Sequence, residues 1–243
     1  MIDQQKMVWD TLWSHKVSYQ WDALSQVVYD TILKWVNPIQ GLNILEAGSG
    51  TGKISLRLAL EGAKVTLVDY SEKALENSRE AFGAESCQGT FILSDIRNIQ
   101  APDHKYDLTW NAGVLEHFTF DEKVTIIKEM ARITKPGGII LILTPYAKCL
   151  PYRVGKAFAE KQGNWMYGVE EPVLTLAKEF EDSGIPLLEE SDIGFVNSLD
   201  FFDFIPQSDI MKQSIIQWYQ ALSAEEQSFF PGYLLVSVGM KEG

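Results

Sequence analysis

Ile44-Leu45-Glu46-Ala47-Gly48-Ser49-Gly50-Thr51-Gly52 is the stretch on which the reading of this chain turns. Apolar residues run into three glycines separated by single residues, and a helical pattern follows. Glycine lets a backbone turn tightly and lets a ligand approach without meeting a Cβ. The start of the following helix offers unpaired N–H groups and partial positive charge. In an open α/β sheet, nucleotides bind at such a turn, at the carboxyl end of the first strand. Two phosphate-binding patterns miss. A dinucleotide fingerprint needs Gly-x-Gly-x-x-Gly, but the glycines at 48, 50 and 52 are followed by Lys53. A phosphate loop needs Gly-x-x-x-x-Gly-Lys-Ser/Thr. Over 47–54, Ala47 replaces its first glycine and Ile54 its hydroxyl, which leaves Lys53 as a solvated first-turn residue. An acid-x-Gly-x-Gly-x-Gly pattern fits at every position.

Outward from this turn, strands and helices alternate. Residues 43–47 read as a strand, 52–61 as a helix, 64–68 as a second strand. Ser71 is an N-cap for a helix to about Phe82. Residues 90–93 and 106–110 read as strands, Asp121 caps a helix to about Ile133, and Pro136-Gly137-Gly138 turns into a fifth strand at 139–143. Repeated strand–helix units imply a parallel sheet with helices on both faces. Beyond 143 the pattern loosens. Residues 172–182 look helical, 186–196 hold a sixth strand, 208–222 form a helix and 233–240 a closing strand. Near the start, the apolar positions of 21–36 step by three and four, as in an amphipathic helix. The first 37 residues carry Trp9, Trp13, Trp21 and Trp35, which read as packing onto a core or as a lid over a ligand.

Further marks follow at the ends of later strands. Asp69 closes Val65-Thr66-Leu67-Val68-Asp69-Tyr70-Ser71, and a carboxylate there can take both hydroxyls of a ribose. Its alternative role is as an acid at a helix start. Ser94-Asp95-Ile96 follows the third strand. Tyr106-Asp107-Leu108-Thr109-Trp110-Asn111-Ala112-Gly113-Val114-Leu115-Glu116-His117-Phe118 covers the fourth, and Lys135-Pro136-Gly137-Gly138 precedes the fifth. In this order and spacing, over 43–143, the chain resembles the Rossmann-like (class I) S-adenosylmethionine-dependent methyltransferases, among them the small-molecule enzymes that include those of quinone biosynthesis. The resemblance implies S-adenosylmethionine as cofactor. It places the cofactor against Glu46, Ala47, Gly48, Ser49, Gly50 and Gly52, against Asp69, Tyr70 and Ser71 at the ribose, and against Asp95 and Ile96 at the adenine. Asn111, Ala112 and Gly113 would line the methionine end. The expected architecture is a doubly wound seven-stranded sheet, order 3-2-1-4-5-7-6 with the last strand antiparallel, carrying helical lid additions. A single domain over 1–243 is expected, with N-terminal helices at 1–40, a cofactor core at 41–144 and lid or acceptor insertions at 145–171 and 197–232.

Methyl transfer from a sulfonium is an in-line displacement that needs the acceptor positioned, and a base only if the acceptor arrives protonated. Glu116 and His117 are the candidate catalytic residues, with a structural role as the alternative. His15 and His104 read as surface residues, and three histidines so separated give no metal spacing. The acceptor pocket is expected on the additions, whose aromatics include Trp165, Tyr167, Phe201 and Phe202. Lys148, Arg153, Lys156 and Lys161 would hold an acidic acceptor or lie on a solvated helix face.

Composition narrows the class. The formal charge is −12, with 33 acids against 21 bases, which argues against a nucleic-acid partner. No apolar run is long enough to span a bilayer, and residues 1–10 lack the marks of a signal peptide. Cys87 and Cys149 make neither a disulfide framework nor a metal spacing. A cytoplasmic enzyme acting on a small or lipophilic acceptor is expected, its oligomeric state left open. The other function class is a cofactor-binding sensor or scaffold that transfers no methyl.

Overall fold

The computed structural model describes residues 2–15 and 18–243. Its centre is β1 (Asn43–Ala47), whose apolar residues are almost wholly buried. β1 pairs in parallel with β2 (Lys64–Asp69) on one side and β4 (Tyr106–Ala112) on the other. β3 (Thr90–Leu93) adds beyond β2, and β5 (Thr134–Pro145) beyond β4. β7 (Leu234–Met240) runs antiparallel to both β5 and β6 (Leu187–Ile193), giving the order 3-2-1-4-5-7-6. This is the doubly wound, seven-stranded sheet with one antiparallel strand that the sequence leads one to expect.

Successive side chains on a strand point to opposite faces. Ile44, Leu141 and Leu143 therefore join Val28, Ile32, Leu58 and Leu75 in one apolar layer. Leu45, Ile140 and Ile142 join Ile126, Ile127 and Met130 in the other. Burial of each such side chain contributes about 1.5 to 3 kcal/mol, so these two layers fix the sheet and the strand ends that carry the site.

The helices follow local signals. α2 (Ala23–Trp35) starts where the Asp22 carboxylate accepts from Ser25 N–H, and α3 (Lys53–Leu60) leaves the glycine turn. α4 (Glu72–Ala84) is capped by Ser71. α5 (Phe120–Ile133) is capped by Thr119, two residues before the expected Asp121, because Thr119 and Glu122 form a reciprocal capping box. The stretch 145–171 is not only loop: it holds α6 (Leu150–Lys161), with Pro151 in its first turn, where a missing N–H costs nothing. α7 (Ala177–Ser183) is shorter than the expected 172–182. It is followed by α8 (Phe195–Ser198), a 3₁₀ stretch at Leu199–Phe204, α9 (Asp209–Gln220) and α10 (Ala224–Gln227). Among the described residues no helix is long and apolar enough to cross a membrane.

Two additions sit over the carboxyl ends of the strands. α1 (Ile2–Ser14) is tied down where Ser71 Oγ donates to Asp10 at 2.6 Å and Asn77 Nδ2 to the Trp13 carbonyl at 2.9 Å. The other is the segment around α6, whose buried Tyr152 packs against Phe201, Tyr233 and Trp165. Gly155 there lies so close to the Phe201 carbonyl that a Cβ would come within 2.2 Å of its oxygen.

The glycine turn itself is rigidly specified. Gly48, Gly50 and Gly52 all have positive φ, at 78°, 50° and 62°, a region that costs other residues about 1 to 2 kcal/mol each. At Gly52 a Cβ would also stand 2.2 Å from Leu67 Cδ2 and 3.0 Å from Ser78 Oγ. Gly52→Ala is therefore expected to lower the unfolding free energy by about 2 to 4 kcal/mol, strain and overpacking together. Urea denaturation of the purified variant checks this, and a midpoint equal to wild type would show that the turn relaxes freely.

Candidate functional site

The strand ends and the two additions enclose a cavity of about 780 Å³, a size that suits a small molecule. Its first end is the glycine turn. Gly48 and Ser49 N–H groups donate to the Val68 carbonyl at 2.8 and 3.0 Å, and Gly52 N–H to the Ser49 carbonyl at 2.8 Å. Asp69, almost fully buried, accepts from Gly50 N–H on one oxygen and from Ser71 N–H on the other, both at 2.9 Å. Each oxygen keeps a further lone pair for a ligand donor. Burial raises the Asp69 carboxyl to about 6, against the pull of those backbone bonds. Glu46, hydrogen-bonded by Ser55 Oγ at 2.6 Å, is raised by burial to about 8.

The middle of the cavity is walled by Asp95, Ile96, Arg97 and Phe118. Both Asp95 oxygens accept from the Arg97 guanidinium, which also donates to Glu122 and lies over the Phe118 ring. That pairing holds the Asp95 carboxyl below its ordinary range. Six carboxylates line the cavity (Glu46, Asp69, Asp95, Glu116, Glu122 and Glu170), and Arg97 is the one arginine or lysine on that wall among the described residues.

At the far end a 3₁₀ turn, Leu115–His117, presents Glu116 and His117. The loop 168–171 is pinned to it twice: Glu171 N–H donates to the Glu116 carbonyl and His117 Nδ1–H to the Val169 carbonyl, each at 2.8 Å. Because a carbonyl only accepts, Nδ1 carries the proton and the lone pair of the neutral ring sits on Nε2, which faces Glu116 Oε1 at 3.7 Å. Burial holds the imidazole below its ordinary range and raises Glu116 to about 8. Glu116 Oε2 is buried and receives no hydrogen bond. Glu170, raised by burial, accepts from the Tyr152 hydroxyl.

Of the residues expected from sequence at the cofactor, Glu46, Gly48, Ser49, Gly50, Asp69, Tyr70, Asp95, Ile96, Ala112 and Gly113 lie on the cavity wall, as do Glu116 and His117. Ala47, Gly52, Ser71 and Asn111 stand behind it. Ala47 is in the core, Gly52 abuts Leu67, Ser71 caps α4, and Asn111 Nδ2 points to Met130 Sδ at 3.5 Å. Trp9 and Trp13 roof the cavity, with Trp13 directly over Gly50 and Trp9 edge-on to His117 at 5.2 Å. Trp21 and Trp35 instead pack on the core. Trp165 and Tyr167 face the cavity, whereas Phe201 and Phe202 lie off its wall, because the 199–204 turn packs onto α6. Lys148, Arg153, Lys156 and Lys161 do not line it, and Lys156 is engaged by Glu160 and the Trp165 ring. Glu170 and Arg97 were not read from sequence. Arg97 follows Asp95 by two residues and carries a local signal; Glu170 is brought in only by the path of its loop.

Comparisons with known proteins agree with this arrangement. A methyltransferase-domain family model matches residues 44–138. A malonyl-[acyl-carrier protein] O-methyltransferase of Erwinia pyrifoliae is 31% identical over 115 residues, 47% of this chain and 42% of that protein. A ubiquinone biosynthesis O-methyltransferase of Vibrio cholerae is 28% identical over 160 residues, 65% of this chain and 63% of that protein. The chain thus spans about half the length of the curated relatives it matches. The magnesium protoporphyrin IX methyltransferase of Synechocystis PCC 6803, solved with S-adenosylmethionine bound, shares the fold with a TM-score of 0.57 at 16% identity, over 90% of this chain and 80% of that one. The matched segment carries the glycine turn, the acid closing β2 and the Glu-His turn after β4, and over 44–138 the chain is similar to a methyltransferase domain.

Proposed function

We propose that this protein transfers a methyl group from S-adenosylmethionine to a small-molecule acceptor seated at the Glu116–His117–Glu170 end of the cavity. One observation carries the reading: a single cavity joins the glycine turn and Asp69 to that far end under a common aromatic roof. The residues fit the cofactor. Gly48 and Gly50 form a cradle that a side chain would fill, since a Cβ would stand 2.8 Å from Val114 and 2.9 Å from Trp13. Asp69 retains acceptor capacity for two ribose hydroxyls, and Ile96 and Phe118 offer apolar surface for an adenine.

The sulfonium supplies an already activated methyl, so the chain's own work is to orient the acceptor and exclude water. Trp9, Trp165 and Tyr167 close the far end. There Glu116, His117 and Glu170 hold the acceptor by its polar group, and His117 Nε2 can take a proton from it. The basic residues around α6 stay off the wall, which disfavours an acidic acceptor. A screen of hydroxyl- and amine-bearing aromatic compounds, read by mass spectrometry for methylated product and S-adenosylhomocysteine, tests the reading. Tight cofactor binding with no transfer to any compound would favour a sensor or scaffold instead.

Asp69→Ala is expected to weaken S-adenosylhomocysteine binding by about 2 to 4 kcal/mol, the loss of a charge-assisted pair of acceptors. The ionised form accepts the hydroxyls, so affinity in the wild type should fall as pH is lowered through about 6. Stability runs the other way. A carboxyl whose folded value lies above its ordinary 3.8 stabilises the unliganded protein when protonated, and that contribution is lost as pH rises through about 6. Asp69→Asn should flatten both dependences. Calorimetry and thermal melts between pH 5 and 8, read as the difference from wild type, would contradict the assignment if both profiles were unchanged.

Tyr167, partly exposed at the cavity mouth, separates lid from core. Tyr167→Ala is expected to keep cofactor affinity and melting temperature while lowering kcat/KM for the acceptor by about 10-fold, or 1.4 kcal/mol of transition-state binding. A clear loss of melting temperature with normal specific activity would assign the ring to packing.

A further inference from the structure

The three acceptor-end groups have a property that methyl transfer alone does not require. One ligand atom each from Glu116, His117 and Glu170 lie within 4.8 Å of one another. These are two carboxylate oxygens and an imidazole nitrogen, the donor types that bind divalent cations such as Mn²⁺ and Zn²⁺. Each is oriented by a neighbour. The Val169 carbonyl takes the Nδ1 proton of His117, which is how a metal-binding imidazole is usually set, with the other nitrogen toward the ion. The Tyr152 hydroxyl holds Glu170, as an outer hydrogen bond commonly holds a ligating carboxylate.

Charge makes the same point. Glu116 is about 97% buried, at 3% exposure, and its Oε2 receives no hydrogen bond. A buried carboxylate oxygen without a donor is costly, and a second carboxylate stands within 5 Å. Among the described residues the cavity wall holds one arginine and no lysine. Arg97 is engaged by Asp95 and Glu122, while Lys123 and Lys156, off the wall, act on Glu116 and Glu170 through charge alone, and Lys156 is itself engaged by Glu160. Neither lysine makes a hydrogen bond to Glu116 or Glu170, so the unpaired Glu116 oxygen is left to an external partner.

We infer that Glu116, His117 and Glu170 bind a divalent metal ion, of the Mn²⁺ or Zn²⁺ class, at the acceptor end of the cavity. Three protein ligands leave positions open, so the ion can also hold an acceptor hydroxyl oxygen. As a Lewis acid it lowers that hydroxyl's pKa and replaces His117 Nε2, now a ligand, in the base's role; the displaced proton goes to water. This second role rests on the methyl-transfer reading, and it makes the acceptor an oxygen nucleophile. Binding of the ion does not rest on it.

The test uses the full chain, stripped with chelator and saturated with S-adenosylhomocysteine, and Mn²⁺ alone as the probe. Electron paramagnetic resonance titration should show a site with a dissociation constant in the micromolar range, from which Zn²⁺ displaces Mn²⁺. Glu170→Gln and Glu116→Gln, which keep side-chain shape, should each weaken it by about 10-fold or more. Paramagnetic broadening of backbone amide resonances in the wild type should centre on 115–117 and 168–171, a readout independent of whether either variant folds. Absence of Mn²⁺ binding up to millimolar concentration overturns the proposal. So does broadening centred elsewhere on this acidic surface, or an affinity indifferent to both substitutions. Metal binding at this site in a protein that methylates nothing would leave the ion site standing and remove the methyl-transfer reading, so the two fail separately.

Discussion

The buried carboxylate of Asp69 accepts one backbone N–H from the glycine turn and one from the start of α4, and the rest of the site depends on that pair of bonds. They tie the ends of β1 and β2 to each other at the point where both strands stop. The turn they hold has three residues at positive φ, a conformation only glycine adopts without strain. The arrangement is costly. A carboxylate has been placed in the interior and its pKa has risen accordingly, with hydrogen bonds that satisfy it only in part. Such an arrangement stores acceptor capacity for a ligand that brings two hydroxyl donors, and ligand binding would recover part of the burial cost.

The same logic of unmet demand runs to the far end. Glu116 is pushed up by burial, lacks a donor on one oxygen and faces another acid. Between the two ends the polar groups satisfy each other, Asp95 with Arg97 and Arg97 with Glu122. The cavity is therefore polarised along its length, with unmet carboxylates at both ends and a paired salt-bridge network in the middle. That pattern fits the proposal of one ligand held by hydroxyls at one end and a second at the other.

What could be read from sequence was what lies close together in it. The turn at 48–52, the acid at 69, the pair at 95–96 and the Glu-His turn at 116–117 each sit within a few residues of a strand end, so periodicity and local chemistry place them. The resemblance to the family supplied the sheet order, including the antiparallel last strand, and strand–helix repeats made the parallel, right-handed part of the sheet legible. The additions were not. Trp9 and Trp21 have similar surroundings in sequence, yet one roofs the cavity and the other packs on the core. Their difference comes from Asp10 meeting Ser71 across 61 residues. α6 was hidden by an aromatic-rich segment with a proline at its start. Glu170 sits in a loop whose place is set by two bonds to the 115–117 turn, contacts that no local pattern encodes. Phe201 and Phe202 looked like pocket walls because aromatic residues suit both a lid and a core, and only the close approach of Gly155 to Phe201 decides between them.

The central claim is that one cavity seats the cofactor at Asp69 and aims its reactive centre at the acid-rich end. A crystal structure with S-adenosylhomocysteine measures this directly. The account predicts both ribose hydroxyls on the Asp69 carboxylate, the nucleoside beside Ile96, and the sulfur turned toward Glu116 and His117 beneath Trp9. A nucleoside bound away from Asp69, or a sulfur pointing away from Glu116 and His117, would contradict it.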